Sequence, residues 1–163
     1  MSDSEINKDA LEFRVLSPAL TESLGDFFES LAASEVVELF HPHPLTRESA
    51  RQLCRYAGRD LYFAALGGSR VLAYGLLRGW DEGYVIPSLG IALAPESRGT
   101  GLARAFMLFL HAAARFRGAK RIRLTVLRRN VRAVALYRSL GYVFEPKNAD
   151  EEIGFVDIVS GRS

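Results

Sequence analysis

The chain has 163 residues and a formal net charge of +2, and 48% of its residues are hydrophobic while 25% are charged. This length and composition are typical of one soluble globular domain with a buried core. Cys54 is the only cysteine, which excludes an internal disulfide and a cysteine-built zinc site and suits a reducing compartment.

The first ten residues are polar and mixed in charge, without the apolar centre of a signal peptide. No run approaches the roughly 20 apolar residues of a membrane-spanning helix. We therefore expect a cytoplasmic protein with no membrane partner. We expect a flexible N-terminus over residues 1–10 and a single domain over residues 11–163.

The first half of the chain predicts one strand, two helices and a hairpin. A strand over residues 12–17 is followed by a helix over residues 19–32, whose apolar side chains recur at helical spacing. A second helix is predicted over residues 46–58, with Thr46 as its N-cap and Gly58 at its end. The segments "LYFAAL" and "RVLAYGLLRG" flank the turn "GGS" and predict a β-hairpin.

The second half predicts alternating strands and helices. A strand over residues 84–95 is interrupted by Pro87 and Gly90, which usually mark a bulge or a bend. The next elements are a helix over 101–117, a strand over 121–127, a helix over 129–141 capped by Asn130, and two strands in "YVFEP" and "IGFVDIVS". This order predicts a mixed α/β sheet with helices on both faces.

Positive charge is concentrated in one part of the chain. Between Glu96 and Glu145 there is no acidic residue, whereas the interval carries ten arginines and one lysine. Such segregation produces a positive field over part of the surface. A solvated basic face, a polyanionic small ligand and nucleic acid are the three open explanations.

The stretch "PESRGTGLARAF", residues 95–106, opens a helix with a glycine-rich turn, and such turns commonly hold phosphates. It is not a Walker A loop, because no Gly-Lys-Ser/Thr follows. It is not a dinucleotide fingerprint, because Arg104 occupies the place of the third glycine. A helix N-terminus with Arg98 beside it could hold a pyrophosphate, and a glycine-rich helix entry without a ligand is the alternative.

Two spaced motifs connect this turn with the helix downstream. The first, Arg/Gln-x-x-Gly-x-Gly/Ala, is met by Arg98, Gly101 and Ala103. The second, Asn-x-x-Ala-x-x-x-Tyr-x-x-x-Gly-Tyr/Phe, is met some thirty residues later by Asn130, Ala133, Tyr137, Gly141 and Tyr142. Together they resemble the GCN5-related N-acetyltransferase (GNAT) family over about 55 residues, and the order of elements extends the resemblance to nearly the whole chain.

The resemblance implies the acyl-CoA N-acyltransferase fold, a mixed and mostly antiparallel α/β sheet with a splayed strand pair and helices on both faces. Acetyl-CoA, the implied cosubstrate, would lie between strands 84–93 and 121–127, and no metal is expected. The implied cofactor-binding residues are Ile91, Leu93, Asn130 and Ala133 along the pantetheine arm, and Arg98, Gly99, Thr100, Gly101, Leu102 and Ala103 around the pyrophosphate.

Tyr137 is the catalytic residue that the resemblance implies, with its hydroxyl directed at the sulfur. Aminolysis of a thioester needs a neutral amine, a donor for the developing oxyanion and a proton for the leaving thiolate. A phenol stays protonated at neutral pH and can act as the general acid. A backbone N–H near Ile91 or Ala92 could be the oxyanion donor. The alternatives are a core tyrosine at position 137 and a plain N-cap at Asn130, and the latter is compatible with a binding role.

Neither motif assigns the general base. The candidates are Glu38, His41, His43, Asp81, Glu82 and a bound water. The loop that holds His41 and His43 lies where the family builds its acceptor site, so these two residues are candidate substrate-binding residues. Glu82, just before the strand over residues 84–95, is a third candidate. The two histidines could instead ligate a metal or form a plain turn, although no third metal ligand is visible. We expect His111 to be a packed structural residue.

The function that the resemblance implies is acetyl-CoA-dependent transfer of an acetyl group to a primary amine by direct attack on the thioester. A small metabolite or an amino sugar is the favoured acceptor, and a homodimer stays open. The alternative is a non-catalytic acyl-CoA-sensing or nucleic-acid-binding regulatory domain that uses the basic segment 98–138. Nucleic acid is not expected, because the basic residues lack interleaved aromatic side chains for base stacking.

Overall fold

Seven strands and four α-helices form the part of the chain that the computed structural model describes, residues 10–34 and 42–158. The strands are β1 (Leu11–Val15), β2 (Leu61–Gly67), β3 (Arg70–Arg78), β4 (Ser88–Leu93), β5 (Arg121–Leu127), β6 (Val143–Pro146) and β7 (Glu151–Asp157). The helices are α1 (Thr21–Ala32), α2 (Arg47–Cys54), α3 (Leu102–Phe116) and α4 (Val131–Ser139), and short 3₁₀ turns precede α1 and α3. The predicted order of elements is confirmed.

Three of the predictions concern residues that lie outside the described part of the chain. These are the flexible N-terminus, almost all of which falls in residues 1–9, and the candidate residues Glu38 and His41. Among the helices that are described, none combines the length and the apolar character that crossing a membrane requires.

The boundaries of two predicted elements are corrected. Helix α2 begins after Thr46, whose hydroxyl oxygen accepts from the Ser49 N–H at 3.0 Å, as expected for an N-cap. The helix ends at Cys54 rather than at Gly58. Strand β4 begins only at Ser88, because the residues before it belong to the loop that follows β3.

The sheet has the strand order β1-β2-β3-β4-β5-β7-β6 and is antiparallel except between β4 and β5. The register of β4 with β3 is continuous from Ser88 to Leu93, so the bulge predicted from Pro87 and Gly90 is wrong. Pro87 precedes the strand, where its missing N–H breaks no ladder bond, and Gly90 pairs regularly with Leu76. The observed irregularity lies in the β2–β3 pair at residues 65 and 66, where Leu72 of β3 has no partner on β2.

The four helices cover both faces of the sheet, as predicted. On the first face, α3 and α4 contribute Phe106, Leu110 and Tyr137 to one apolar core. On the second face, α1 and α2 contribute Phe28 and Cys54 to another. The α3 helix approaches β3 closely, because a Cβ at Gly75 would lie 2.8 Å from the Phe106 ring. This approach places the N-terminus of α3 beside the end of β4.

Candidate active site

Strands β4 and β5 pair at one end and separate toward the other. Ser88 is in register with Arg123, and the Arg123 N–H donates to the Pro87 carbonyl at 3.0 Å. No further pair joins β4 and β5 in the described structure, although both strands continue against their outer neighbours to Leu93 and Leu127. The sheet therefore contains an open wedge, which confirms the predicted splayed strand pair.

The backbone of Ile91 and Leu93 is directed into this wedge. Backbone N–H and C=O groups alternate sides along a strand, and the carbonyl of Pro87 already points to β5. Residues 89, 91 and 93 therefore present their groups to β5, whereas Ala92 presents its groups to β3. Because β5 has diverged at this height, the backbone donors and acceptors of Ile91 and Leu93 face a gap that an extended ligand can fill.

A cavity of about 530 Å³ lies between β4, the N-terminus of α3 and one side of α4. Both sequence motifs contribute to its walls. The predicted site residues that line it are Ile91, Leu93, Arg98, Gly99, Gly101, Ala103, Asn130, Ala133 and Tyr137. The fold thus brings the two motifs, which are some thirty residues apart in the sequence, to one cavity.

The structure adds lining residues that were not singled out as binding residues from the sequence. They are Leu31, Ala92, Ser97, Arg104, Arg129, Val131, Arg132 and Leu136. The three arginines belong to the acid-free interval, which was their only signal, whereas nothing in the sequence pointed to Leu31 on α1. Among the described residues, no carboxylate lines the cavity. Its potential is therefore positive, which favours an anionic ligand.

The glycine turn, residues 98–101, has a backbone conformation that requires glycine. Gly99 and Gly101 have φ angles of +76° and +87°, and a Cβ at either position would meet nothing within 4 Å. Conformation, rather than space, therefore excludes other residues. The N–H groups of residues 99, 100 and 101 donate to no described residue, and the first N–H groups of α3 have no intrahelical acceptor. This cluster of open donors suits a phosphate group.

Thr100 and Leu102 are the two predicted cofactor-binding residues that do not line the cavity. The Thr100 hydroxyl donates to the Ser97 carbonyl at 2.5 Å and accepts from the Leu102 N–H at 3.3 Å. The Leu102 side chain is buried in the first-face core. Both side chains therefore hold the glycine turn in place instead of facing the cavity.

Asn130 and Tyr137 lie at opposite ends of α4. The Asn130 side-chain oxygen accepts from the Ala133 N–H at 3.4 Å, which confirms the predicted N-cap. Tyr137 is 8% exposed, and burial raises its pKa to about 12. Its hydroxyl has no hydrogen-bond partner among the described residues. A protonated phenol with a free donor thus borders the cavity.

Tyr142 and His111 support Tyr137 from the core. The Tyr142 ring lies 5.7 Å from the Tyr137 ring, and the Tyr142 hydroxyl is hydrogen-bonded to His111 Nε2 at 2.8 Å. Desolvation, with a smaller contribution from Arg115, lowers the His111 pKa to about 4, so this imidazole is neutral at pH 7. The prediction that His111 is a packed structural residue is confirmed by its burial.

His43 lies on the second face, outside the walls of the cavity. Its Nδ1 is 2.8 Å from the Pro44 carbonyl oxygen and its Nε2 is 3.0 Å from the Tyr74 hydroxyl. Because a carbonyl oxygen can only accept, Nδ1 carries the hydrogen and Nε2 accepts from Tyr74 in the neutral ring. Desolvation lowers the His43 pKa, which favours this neutral form. The ring also packs at 5.6 Å from the Phe28 ring.

The two acidic candidates for the general base that the structure describes, Asp81 and Glu82, do not line the cavity either. Glu82 is exposed in the loop between β3 and β4. Asp81 accepts from the Tyr56 hydroxyl and, at 2.8 Å, from the Arg59 N–H, and these hydrogen bonds lower its pKa. In the part of the chain with described coordinates, no group of three or more His, Cys, Asp or Glu side chains is placed to hold a metal ion.

Comparison with known proteins identifies the family. Residues 21–142, well over half of the chain, match the profile of the acetyltransferase (GNAT) family. A comparison with curated protein sequences finds no significant match.

Solved structures of similar fold include proteins with different acceptors. The GNAT domain of S. lividans PAT superposes with a TM-score of 0.76 at 19% identity over 90% of each chain. The ribosomal-protein-S18-alanine N-acetyltransferase of Escherichia coli gives 0.69 at 19% identity, over 93% of this chain and 96% of that one. The dodecameric spermidine N-acetyltransferase of Vibrio cholerae superposes with a TM-score of 0.72 at 17% identity, over 91% of this chain and 94% of that one. At these identities the likeness establishes the fold and does not identify an acceptor.

Proposed function

This chain belongs to the acetyltransferase (GNAT) family, and we propose that it transfers the acetyl group of acetyl-CoA to a primary amine of a small metabolite or an amino sugar. The observation that carries the proposal is the cavity beside β4, where β4 and β5 have diverged. It joins a cluster of open N–H donors at the N-terminus of α3 to a buried, protonated phenol on α4.

The cavity has the donor groups that acetyl-CoA needs. The free backbone groups of Ile91 and Leu93 can pair with the amides of the pantetheine arm, as a third strand would. The open N–H groups of residues 99–101 and the Arg98 guanidinium suit the pyrophosphate. The Asn130 side chain borders the space between them. When it is bound, acetyl-CoA supplies an activated acetyl group in the form of a thioester.

The Ile91 N–H is our candidate for the oxyanion donor. Ile91 points its backbone into the wedge, whereas the N–H of Ala92 is used in pairing with β3. A fixed donor in a site that excludes water stabilises the negative charge that develops on the carbonyl oxygen. Of the two positions that the sequence left open, the register therefore favours Ile91.

Tyr137 is our candidate for the general acid. As the C–N bond forms, the C–S bond breaks, and the sulfur takes the phenolic proton. The amine nitrogen loses a proton to solvent, and the phenolate regains one from it. The raised pKa of Tyr137 keeps the phenol protonated before reaction. No histidine or carboxylate of the described residues lines the cavity, so we propose that water accepts the proton of the amine.

The contacts of the basic residues weigh against the alternative of a nucleic-acid-binding domain. Arg98, Arg104, Arg129 and Arg132 line the cavity, so part of the acid-free interval surrounds the donor site. Others are held by the protein itself: Arg115 donates to the Ile158 carbonyl, Arg117 to the Arg59 carbonyl and Arg128 to the Ala149 carbonyl, while Arg121 pairs with Asp157.

Location and assembly are proposals of the same kind. Cys54 is a buried free thiol, which is compatible with the cytoplasmic location that we propose. A homodimer remains our working assumption for its assembly.

Thermal shift and thiol release test the proposed function together. We expect acetyl-CoA to raise the Tm and oligonucleotides to leave it unchanged. We also expect the release of free CoA thiol with at least one member of a panel of amino sugars, amino acids, polyamines and peptides. Stabilisation by oligonucleotides, or no response to any acyl-CoA, contradicts the proposal.

A further inference from the structure

Two arginines stand in one row across the sheet beside the narrow end of the wedge. Arg78 on β3 is in register with Ser88 on β4, and Ser88 is in register with Arg123 on β5. Neighbouring strands are about 4.8 Å apart, so the Cα atoms of the two arginines are roughly 10 Å apart. Two side chains of this length can reach a single anion from that separation.

The row lies on the second face of the sheet. Side chains alternate between faces along a strand, and both neighbours of Arg123, Ile122 and Leu124, are buried in the first-face core. Arg78 follows Leu76, which belongs to the second-face core, by two positions. The two guanidiniums are therefore on the side of the sheet opposite to Tyr137.

The Arg123 side chain lacks the partners that a buried guanidinium needs. Its Nε is inaccessible to solvent and has no hydrogen-bond partner in the described structure. Arg121, two positions earlier and on the same face, is by contrast paired with Asp157 at 3.3 Å and lies over the Phe155 ring. Leaving a buried donor without an acceptor is unfavourable, and the cost is larger for charged groups. An anionic ligand that binds the guanidinium would offset this electrostatic cost if the side chain turns to expose its Nε.

Arg78 adds a second positive charge to the row. Its Nη2 donates to the Pro42 carbonyl at 3.3 Å, and the described residues give it no ion-pair partner. Asp60, the buried acid just before β2, forms no ion pair with Arg78 among the described residues. One of its carboxylate oxygens already accepts from the N–H groups of residues 79, 80 and 81.

The second face is connected to the reacting centre. The cavity is lined by Leu31, from the second-face helix α1, and by Tyr137, from the first-face helix α4, so it reaches both sides of the sheet, although neither Arg78 nor Arg123 lines it. No described helix packs over β5 and β7 on the second face. Ser88 is three residues from Ile91 along β4, which is roughly 10 Å. The arginine side chains and one small molecule can together span this distance.

We propose that the acceptor is a small amine that also carries an anionic group, a carboxylate or a phosphate, which Arg123 and Arg78 bind. Guanidinium groups bind both anions through paired, charge-assisted hydrogen bonds, and no described residue is shown as an acceptor for the buried Arg123 Nε. The amine then lies nearer to Ile91, where the thioester is attacked. The inference rests on the proposed acetyl transfer and names the class of its acceptor.

Matched pairs of acceptors test the proposal. Thiol release is measured with β-alanine against β-alaninamide and with glucosamine 6-phosphate against glucosamine, at equal concentrations of the free amine. We expect the anionic member of at least one pair to have a kcat/KM at least tenfold higher. The pair that shows the preference distinguishes a carboxylate from a phosphate.

Variants of Arg123 connect this preference to the row. R123Q should lower kcat/KM for the anionic acceptor at least tenfold, mainly by raising KM. It should leave unchanged both kcat/KM for the neutral acceptor and the affinity for acetyl-CoA. R123K should recover part of the loss, because it keeps the charge without the paired donors. R121Q is the matched control on the same strand and face, and it should change kcat/KM for neither acceptor.

A binding measurement covers the case in which no acceptor of the panel turns over. With acetyl-CoA at saturation, inorganic phosphate should raise the Tm of the wild-type protein and not that of R123Q. Three results overturn the inference while acetyl transfer stands: equal kcat/KM for neutral and anionic amines, an equal effect of R123Q on kcat/KM for both, or no rise in Tm with phosphate. Failure of acetyl-CoA itself to bind overturns the proposed function instead.

Discussion

Ser88 on β4 and Arg123 on β5 are in register at the point where these two parallel strands stop pairing. Beyond this pair the strands diverge, and the backbone of Ile91 faces the gap between them. The pairing of Ser88 with Arg123 therefore defines the narrow end of the wedge. The same pairing places the charged Arg123 side chain beside that end.

Replacing Tyr137 by phenylalanine should lower kcat much more than it changes the affinity for acetyl-CoA. The variant keeps the ring and removes the proton for the leaving thiolate, and general acids contribute about 100-fold or more. Steady-state kinetics and a binding titration with acetyl-CoA measure the two effects. Unchanged turnover would remove Tyr137 from the role of general acid.

Tyr142→Phe is the matched control for that experiment. It leaves the buried His111 without its hydrogen-bond partner, which should lower the free energy of unfolding by about 1 kcal/mol. Because Tyr142 does not line the cavity, we expect a much smaller loss of kcat. Similar kinetic losses in both variants would indicate a structural effect shared by the two tyrosines.

Gly101→Ala should weaken the binding of acetyl-CoA. At a φ of +87° an alanine is strained by about 1 kcal/mol, and relief of the strain would reorient the N–H groups of the glycine turn. Gly118→Ala is the control, because Gly118 has a φ of +101°, equally open surroundings and no place in the cavity. We expect calorimetry to show weaker binding in the first variant alone, and denaturant titration to show a loss of stability in both.

Arg98→Gln should raise the Kd of acetyl-CoA about tenfold, the effect of losing one charge-assisted hydrogen bond. The dependence of the Kd on salt should also become weaker, because one screened attraction is gone. Arg55→Gln is the control, since Arg55 is exposed and lies outside the cavity. An unchanged Kd at low salt would show that Arg98 does not bind the cosubstrate.

The His111 imidazole should make folding stability depend on pH. Its pKa is about 4 in the folded protein against an ordinary value of 6.5, so the unfolded chain binds a proton that the folded chain excludes. Stability from this group is therefore complete above pH 6.5 and is lost as the pH falls to 4, by at most about 1.4 kcal/mol per pH unit. Urea titrations of the wild type and His111→Gln across this window measure the difference, and parallel curves would contradict the assignment.

The sequence predicted those parts of the fold and of the site that depend on neighbouring residues. The caps of Thr46 and Asn130 are confirmed, because a cap forms between residues three positions apart. The strand and helix that hold each motif could likewise be predicted from local periodicity. The wedge itself was predicted from the family resemblance of the motifs and not from periodicity, since no local pattern shows that two strands diverge.

Other features could not be predicted, because they depend on contacts between distant segments. Nothing in the sequence separates Thr100 and Leu102 from the lining residues around them; their side chains turn away because one bonds Ser97 and the other enters the core. The expected bulge at Gly90 is absent because Leu76 pairs with it regularly. His43 is held by Tyr74, which is far from it in the sequence.

The glycine turn and the motif around Tyr137 were determined by the sequence alone, because helix entry, capping and the chemistry of a phenol are properties of short segments. Only the tertiary structure decided which backbone groups remain unpaired, including those of Ile91. It also decided that Arg78 and Arg123 share a row across the sheet. Strand register sets both, and register depends on packing across the whole sheet rather than on any single segment.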